Sequence, residues 1–361
     1  MNLVSIVGAR PNFVKLSVID DLLRKKGFVH RIIHTGQHYD YELSRIFFEQ
    51  LNIPEPDYYL AVGSGSHGYQ VGEIVKRVEE VLLKEKPSLV LVYGDTNSTL
   101  GGALAAVKAG IRVAHVEAGL RSFDLEMPEE VNRRIVDHIS HLLFAPTLSA
   151  YANLIRENVP GKVYLTGDAH VDVLARWARV AEERSQILEK LGVGSGEYMV
   201  VTVHRAENTD DPARLERIAK LLMSLGRQVP VVFPVHPRTR SRLASLGLLK
   251  ALEASVVLTE PLGYLDFIKL IKHSRLVVTD SGGAQREAYL LQVPAVVLRD
   301  RTEWVELVEA GWVKLLPPSL ATADEVLSFR AREYVSGLLG DGRAAERIVK
   351  IIEGEAWKNA S

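Results

Sequence analysis

Short apolar runs alternate along most of this chain with longer stretches whose apolar positions recur every three or four residues. The first pattern predicts buried parallel strands and the second predicts amphipathic helices. Residues 3–7 read as a strand, followed by GARPN and a helix built on Val14, Leu16, Val18, Ile19, Leu22 and Leu23, with Gly27 as its stop. Residues 29–34 form the next strand, and TGQHYD leads into a helix holding Leu43, Ile46, Phe47 and Leu51. The Pro- and Tyr-rich stretch IPEPDYYLAVGSGSHG is the longest irregular connection and reads as a mobile loop. A helix over 71–86, a strand over 89–93, a helix over 97–109 stopped by Gly110, and a strand over 111–116 follow. Then come a strand at 141–145, a helix from Ser149 and a strand at 162–166. Beyond Thr166-Gly167-Asp168 one long helix is predicted to about Leu191, and GVGSGE is a loop. The alternation restarts with strands at 198–203, 231–235, 255–258, 276–279 and 295–298, and an amphipathic helix spans 344–357. The expectation is an α/β protein with two Rossmann-like domains facing a cleft, each a parallel doubly wound sheet. They cover 1–166 and 167–343, and the C-terminal helix, about 344–361, packs back on the first.

Composition narrows the function. At 361 residues the chain exceeds one ordinary core, and 47% apolar with 25% charged residues is the balance of a globular protein. A formal net charge of −1 without a Lys/Arg tract gives no support to a nucleic-acid partner. The absence of cysteine excludes disulfides, thiolate catalysis and Cys-ligated metals. MNLVSIVGARPN reads as a first strand rather than a leader, and no apolar stretch approaches the ~20 residues needed to cross a bilayer. A cytoplasmic protein is expected.

Candidate chemistry clusters where strands end. GDTNSTLGGALAAVKAGIRVAHVEAGLRSFDLEMPEEVNRR supplies Asp95 and Glu117, each just past the carboxyl end of a strand, and Glu129, which opens a helix carrying Arg133. If the strands are neighbours, these acids meet at the edge where open α/β sheets bind ligands. Carboxylates held close shift one another's pKa, which suits proton transfer, although acids also serve as helix caps and Glu129 alone fits that role. Arg10 and Lys15 flank the first strand-to-helix turn and suit an anionic ligand. Thr279-Asp280-Ser281-Gly282-Gly283 precedes a helix, so its backbone N–H groups can cradle a diphosphate or form only a tight turn; Glu287 one turn later can accept from ribose hydroxyls. His204-Arg205 and His236 end two further strands. No GxGxxG favours a nicotinamide cofactor and no HExxH-type spacing indicates a metal.

The segments GARPNFVK, YGDTNSTL, HVEAGLR, PEEVNR, VTVHRAEN, PVHPRT, TDSGGAQRE and RDRTEWVE, in order from Arg10 to about Glu306, resemble the non-hydrolysing UDP-N-acetylglucosamine 2-epimerases. The resemblance implies a GT-B-like fold, a homodimer, and a reaction that interconverts UDP-GlcNAc and UDP-ManNAc without a redox cofactor or metal. In that family UDP is eliminated to give 2-acetamidoglucal and then added back, with the proton delivered to the other face of C2. Carried over by motif, Asp95, Glu117 and Glu129 are the acid–base candidates, and which is base and which acid is open. His204 would contact the diphosphate or assist its departure, with Arg10, Lys15 and Arg133 supporting charge. Ser281, Gly282 and Gly283 would hold phosphate, Glu287 the ribose and Phe267 the uracil. Some members bind a second UDP-GlcNAc as an allosteric activator, and Gln37, Gln70, Arg205 and His236 match that site.

Two departures bear on the substrate. Where members acting on UDP-GlcNAc usually carry TERPE, this chain has Thr302-Glu303-Trp304-Val305-Glu306, so Trp304 stands for a ligand-contacting arginine. Where two acids usually follow SGG-x-Q, it has Arg286-Glu287. A branch acting on UDP-2,3-diacetamido-2,3-dideoxyglucuronate is similar at both places, and Arg286 suits either an added sugar carboxylate or a solvated helix face. UDP-GlcNAc is the preferred substrate. A GT-B glycosyltransferase would share the nucleotide contacts but leave the three acids unexplained, and a non-catalytic UDP-sugar sensor would have no use for them.

Overall fold

The computed structural model describes residues 1–37, 50–51 and 53–357, with the side chains of Arg10, Ala356 and Trp357 outside that description. The helix expected around Leu43, Ile46 and Phe47 lies outside the described residues. The chain divides into two compact units, Met1–Ala175 with Gly337–Ser361, and Arg176–Ser336. Both are α/β, and both sheets are parallel throughout.

The first unit alternates β1 (Asn2–Val7), α1 (Arg10–Lys25), β2 (Val29–His34), β3 (Tyr58–Tyr59), α2 (His67–Glu85), β4 (Leu89–Tyr93) and α3 (Asn97–Lys108). It continues with β5 (Arg112–Val116), α4 (Pro128–Ile139), β6 (Leu142–Ala145), α5 (Leu148–Arg156) and β7 (Lys162–Leu165). The strand order is β3-β2-β1-β4-β5-β6-β7, so the winding reverses between β1 and β4. β4 is buried along its whole length, which is why it reads as an unbroken apolar run. α2 buries Gln70, Ile74, Val78, Val81 and Leu82, one face of a 3.6-residue repeat. It begins at His67, four residues before the predicted start, because Ser66 caps it by accepting from Tyr69 N. The pair Gly101-Gly102 lets α3 sit close: a Cβ on Gly101 would lie 2.6 Å from Ile74, and one on Gly102 2.9 Å from Ile6. The C-terminal helix Ala344–Trp357 packs against α1.

In the second unit, α6 (Ala169–Arg184) spans the division and α7 (Ile187–Leu191) follows. Then come β8 (Met199–Thr202), α8 (Ala206–Thr209), α9 (Pro212–Gly226), β9 (Val231–Pro234), α10 (Pro237–Ser245), α11 (Leu249–Glu253) and β10 (Val257–Thr259). The unit closes with α12 (Tyr264–Lys272), β11 (Leu276–Thr279), α13 (Gly282–Leu290), β12 (Ala295–Val297), α14 (Val305–Glu309), β13 (Val313–Leu315) and α15 (Ala323–Leu327). The order is β10-β9-β8-β11-β12-β13, with the reversal between β8 and β11. Its core gathers Val201, Phe233, Leu222, Val278 and Leu298 between sheet and helices.

Three expectations change. The single helix to Leu191 is broken, because Ser185 turns its hydroxyl to Asp266 and accepts from Ile187 N, restarting the helix. The irregular stretch after Ile53 contains β3, a two-residue edge strand paired to β2. β13, unseen in the sequence, pairs with β12 at the opposite sheet edge. No helix among the described residues is long and apolar enough to cross a membrane.

Candidate active site

Open parallel sheets bind ligands where the winding reverses, beyond the carboxyl ends of the strands. In the first unit that point lies between β1 and β4, whose register (Ile6 opposite Val92) brings the chain out of both strands at one level. Gly8 leaves β1 where a Cβ would fall 1.9 Å from Ser98 Oγ and 2.2 Å from Thr35 Oγ1, so only glycine fits. Asn12, in the first turn of α1, accepts from Gly8 N and Ala9 N and donates to Tyr93 O at 2.8 Å, stitching the two strand ends together.

Lys15, one turn along α1, is buried and places Nζ 2.7 Å from Glu117 Oε2. The pair stands over Gly94, where a Cβ would lie 3.4 Å from Lys15 Nζ and 3.6 Å from Glu117 Oε1. A buried ammonium is tolerated only with such a partner. Glu117 itself has φ +73°, a left-handed conformation costing a non-glycine residue about 1–3 kcal/mol. Strain of that kind persists only where the surroundings impose it.

Asp95, past the end of β4, receives Arg133 Nη2 at 2.6 Å and Nε at 3.1 Å, while Asn132 Nδ2 donates to the Asp95 carbonyl at 2.8 Å. Both partners come from α4, so that helix sets the position of Asp95. Glu129 is half-buried in the first turn of α4, whose N-cap is Met127. The fully buried acid of that turn is its neighbour Glu130, which accepts from Ser122 N (2.8 Å) and Arg133 Nη1 (3.0 Å). Burial pushes the Glu130 carboxyl up, but these donors outweigh it and hold it below the usual carboxylate range. Asn12 and Glu130 were not singled out in the sequence; their signal is position, each lying within the first turn of a helix that opens at the sheet edge.

Gln37 and Gln70 fall in one buried polar run. Gln70 Nε2 donates to Gln37 O and Gly63 O, Gln70 Oε1 accepts from Asn97 Nδ2, and Gln37 Oε1 accepts from Ser98 N and Oγ. The side chain of Arg10 lies outside the described residues. A pocket of about 410 Å³ lined by Arg112, His141, Lys162 and Glu355 lies at the amino ends of β5, β6 and β7, away from all these groups.

The second unit repeats the arrangement between β8 and β11, where Thr279 pairs with Thr202. Asp280 is fully buried and accepts from His204 N, Arg205 N and Asn208 Nδ2 at 3.0–3.1 Å, which locks the two strand ends to each other. His204 presents a side chain 43% exposed, and its ring centroid lies 6.5 Å from that of His236, the N-cap of α10. Arg205 Nη2 lies 3.5 Å from Glu303, which also holds Arg299. Ser281 caps α13, leaving the first-turn amides of Gly282 and Gly283 unused by the helix. Gly282 is needed for packing, since a Cβ would meet Glu303 Oε1 at 2.6 Å. Gly283 is not: its Cβ would meet only Ser281 Oγ, at 3.6 Å. Glu287 is buried one turn along α13, and Phe267 is half-buried on α12.

The two departures prove to touch. Arg286 is buried, not solvated; its guanidinium lies 4.2 Å from the Trp304 ring centroid and its Nε donates to Gly282 O at 3.2 Å. A cation thus stands behind the phosphate-type loop. Beside it the buried Gln285 accepts from Thr302 Oγ1, while its Nε2 has no partner among the described residues.

Comparison with known proteins agrees with this geometry. A family profile described as UDP-N-acetylglucosamine 2-epimerase matches residues 20–353. A UDP-N-acetylglucosamine 2-epimerase homolog of Methanococcus maripaludis is 47% identical over 98% of this chain and 99% of its own. A UDP-2,3-diacetamido-2,3-dideoxy-D-glucuronate 2-epimerase of Pseudomonas aeruginosa is 44% identical over 98% and 99%. The crystal structure of the Methanocaldococcus jannaschii UDP-GlcNAc 2-epimerase in complex with UDP-GlcNAc and UDP superposes with a TM-score of 0.92, at 43% identity over 98% and 99%. With its two parallel α/β sheets of GT-B-like kind, the chain belongs to the UDP-N-acetylglucosamine 2-epimerase family and is an epimerase, an isomerase by reaction type.

Proposed function

We propose that this enzyme is a non-hydrolysing epimerase that interconverts UDP-GlcNAc and UDP-ManNAc in the cytoplasm. The observation that carries the reading is the gathering of Glu117 with Lys15, and of Asp95 with Arg133, at the β1/β4 reversal. The C2 proton of the sugar has no adjacent carbonyl, so a free carbanion is too costly. Elimination avoids it. A carboxylate takes the C2 proton as the C1–O bond breaks; the C–H electron pair becomes the C1=C2 bond, and UDP leaves with the C1–O pair. In the return step a UDP oxygen attacks C1 of the 2-acetamidoglucal and C2 receives a proton on its other face. No water is consumed and nothing is oxidised.

Asp95, Glu117 and Glu129 supply base and acid in this scheme. Lys15 pairs with Glu117 and Arg133 with Asp95, which holds these two carboxylates in position. Ser281 and the amides of Gly282 and Gly283 receive the charge that grows on the diphosphate, His204 assists its departure, and Arg10 adds a further cation. Glu287 holds ribose and Phe267 the uracil. Proton NMR in D2O with UDP-GlcNAc tests the reading. The manno epimer carrying deuterium at C2, without free sugar, is expected. Release of free N-acetylmannosamine would make the enzyme hydrolysing, and tight UDP binding without turnover would leave a transferase or a sensor.

Because Gly283 has room for a methyl group, Gly283→Ala is expected to leave thermal stability unchanged and to weaken UDP by about tenfold, ~1.4 kcal/mol. Calorimetric titration with UDP measures it, and unchanged affinity would remove this loop from the site.

The burial of Arg286 against Trp304 favours a second reading, in which the sugar is UDP-2,3-diacetamido-2,3-dideoxyglucuronate and the guanidinium answers its carboxylate. Turnover of that nucleotide alone, in the same NMR assay, would select it. We further propose a homodimer, tested by sedimentation. Activation by a second UDP-GlcNAc through Gln37, Gln70, Arg205 and His236 would appear as sigmoidal dependence of rate on substrate.

A further inference from the structure

Behind the carboxylates of the first unit lies a charged cluster that the reaction scheme does not use. His115, in β5, is fully buried; its Nδ1 lies 2.7 Å from Asp137 Oδ1 and its Nε2 lies 2.7 Å from the carbonyl oxygen of Gly94. A carbonyl can only accept, so Nε2 carries a hydrogen. Asp137, on α4, also takes Arg121 Nη1 at 2.7 Å and Gly119 N at 3.1 Å on Oδ2. A carboxylate so surrounded is ionised and accepts from Nδ1 as well, which makes the ring of His115 an imidazolium. Arg121 in turn makes two contacts with Glu157, Nε–Oε1 at 2.8 Å and Nη2–Oε2 at 2.6 Å. Cations and anions alternate and balance: His115, Asp137, Arg121, Glu157.

Two of the backbone groups that this cluster grips belong to the turns on which the reacting carboxylates hang. Gly94 immediately precedes Asp95, has φ +65°, and donates its N–H to Val116 O. Gly119 closes the turn that begins at Glu117; it has φ +84°, and a Cβ there would fall 2.2 Å from Ala150 O. Glu117 is therefore bent into its left-handed conformation between Val116, tied to Gly94, and Gly119, tied to Asp137.

We propose that His115 is a positioning residue for the epimerisation: its imidazolium, clamped between Asp137 and the Gly94 carbonyl, fixes the turns that carry Asp95 and Glu117. This rests on the elimination reading for its kinetic consequence but not for its geometry. Preorganisation of this kind is lost steeply, since a misplacement of about 1 Å costs on the order of a hundredfold in rate.

Two substitutions separate the contacts. Gln places its amide nitrogen near Nε2 and keeps the donor to Gly94, whereas Asn places it near Nδ1 and keeps only the donor to Asp137. His115→Gln is expected to retain within about tenfold of wild-type kcat, and His115→Asn to lose about a hundredfold, with KM and UDP affinity within threefold for both. Equal losses of kcat in the two variants, or losses carried by KM, would overturn the proposal. Nitrogen-15 NMR of the histidine-labelled wild-type protein tests it without any variant or turnover. Two protonated ring nitrogens at His115 are expected at neutral pH, and one would sink the imidazolium clamp. If the wild type fails to exchange the C2 proton at all, the reaction reading falls while the NMR result stands by itself.

Discussion

Glu117→Gln is expected to lower kcat for epimerisation by about a thousandfold while UDP binding changes little, because a positioned general acid or base contributes roughly 10²–10⁴ in rate. The same loss should appear in exchange of the C2 proton with D2O, since both processes need that proton removed. A second effect must be separated from it. Lys15 is almost fully buried and its Nζ lies 2.7 Å from Glu117 Oε2, so removing the carboxylate leaves an ammonium without a counter-ion. Breaking a buried pair on one side costs about 3–5 kcal/mol, whereas replacing both partners by uncharged groups is often neutral. The double variant Lys15→Met/Glu117→Gln should therefore regain the melting temperature of the wild type without regaining turnover. If the single variant epimerises within about tenfold of wild type, a loss below the range of acid–base catalysis, Glu117 is not one of the reacting carboxylates.

The sequence made the scaffold legible for a simple reason. Parallel strands buried on both faces are continuous apolar runs, and those at 89–93 and 276–279 begin and end where the structure has them. Asp95 and Glu117 each follow a strand end, and the strands concerned, β4 and β5, are neighbours, which is the condition for the two acids to share one sheet edge. What stayed hidden was set by partners distant in sequence. β3 and β13 are edge strands of two and three residues, defined by pairing rather than by pattern. The break at Ser185 depends on Asp266, 81 residues away. In PEEVNRR both acids look alike, and only the fold shows that Glu130 turns inward to Ser122 and Arg133. In the sequence Arg286 suits an added sugar carboxylate or a solvated helix face equally, and only the fold shows Trp304 covering it. His115 looks like one more position of a strand, because the charge it carries comes from Asp137 and Gly94 rather than from its neighbours in the chain.

Asp137→Ala is the substitution expected to cost most in stability. It leaves the imidazolium of His115 and the guanidinium of Arg121 buried with one anion, Glu157, instead of two. The loss is about 3–5 kcal/mol, seen as a fall of roughly 10 °C in the melting transition of the unit that holds the cluster. The sign of its pH dependence follows from the Asp137 carboxyl. Burial raises its pKa, but His115 and Arg121 outweigh burial and hold it below the usual carboxylate range. A depressed pKa in the folded state means that stabilisation is complete above the unfolded value, about 4, and is lost as the pH falls through the folded value. Glu130, depressed in the same direction, adds to the decline in both proteins and cancels in their comparison. The gap between wild type and Asp137→Ala should thus be largest near neutral pH and should close at acid pH, once the wild-type carboxyl is itself protonated. Urea titrations at pH 7 and pH 3 measure the gap. A gap of the same size at both would mean that the carboxylate's charge contributes nothing, and that Asp137 matters only for the space it fills.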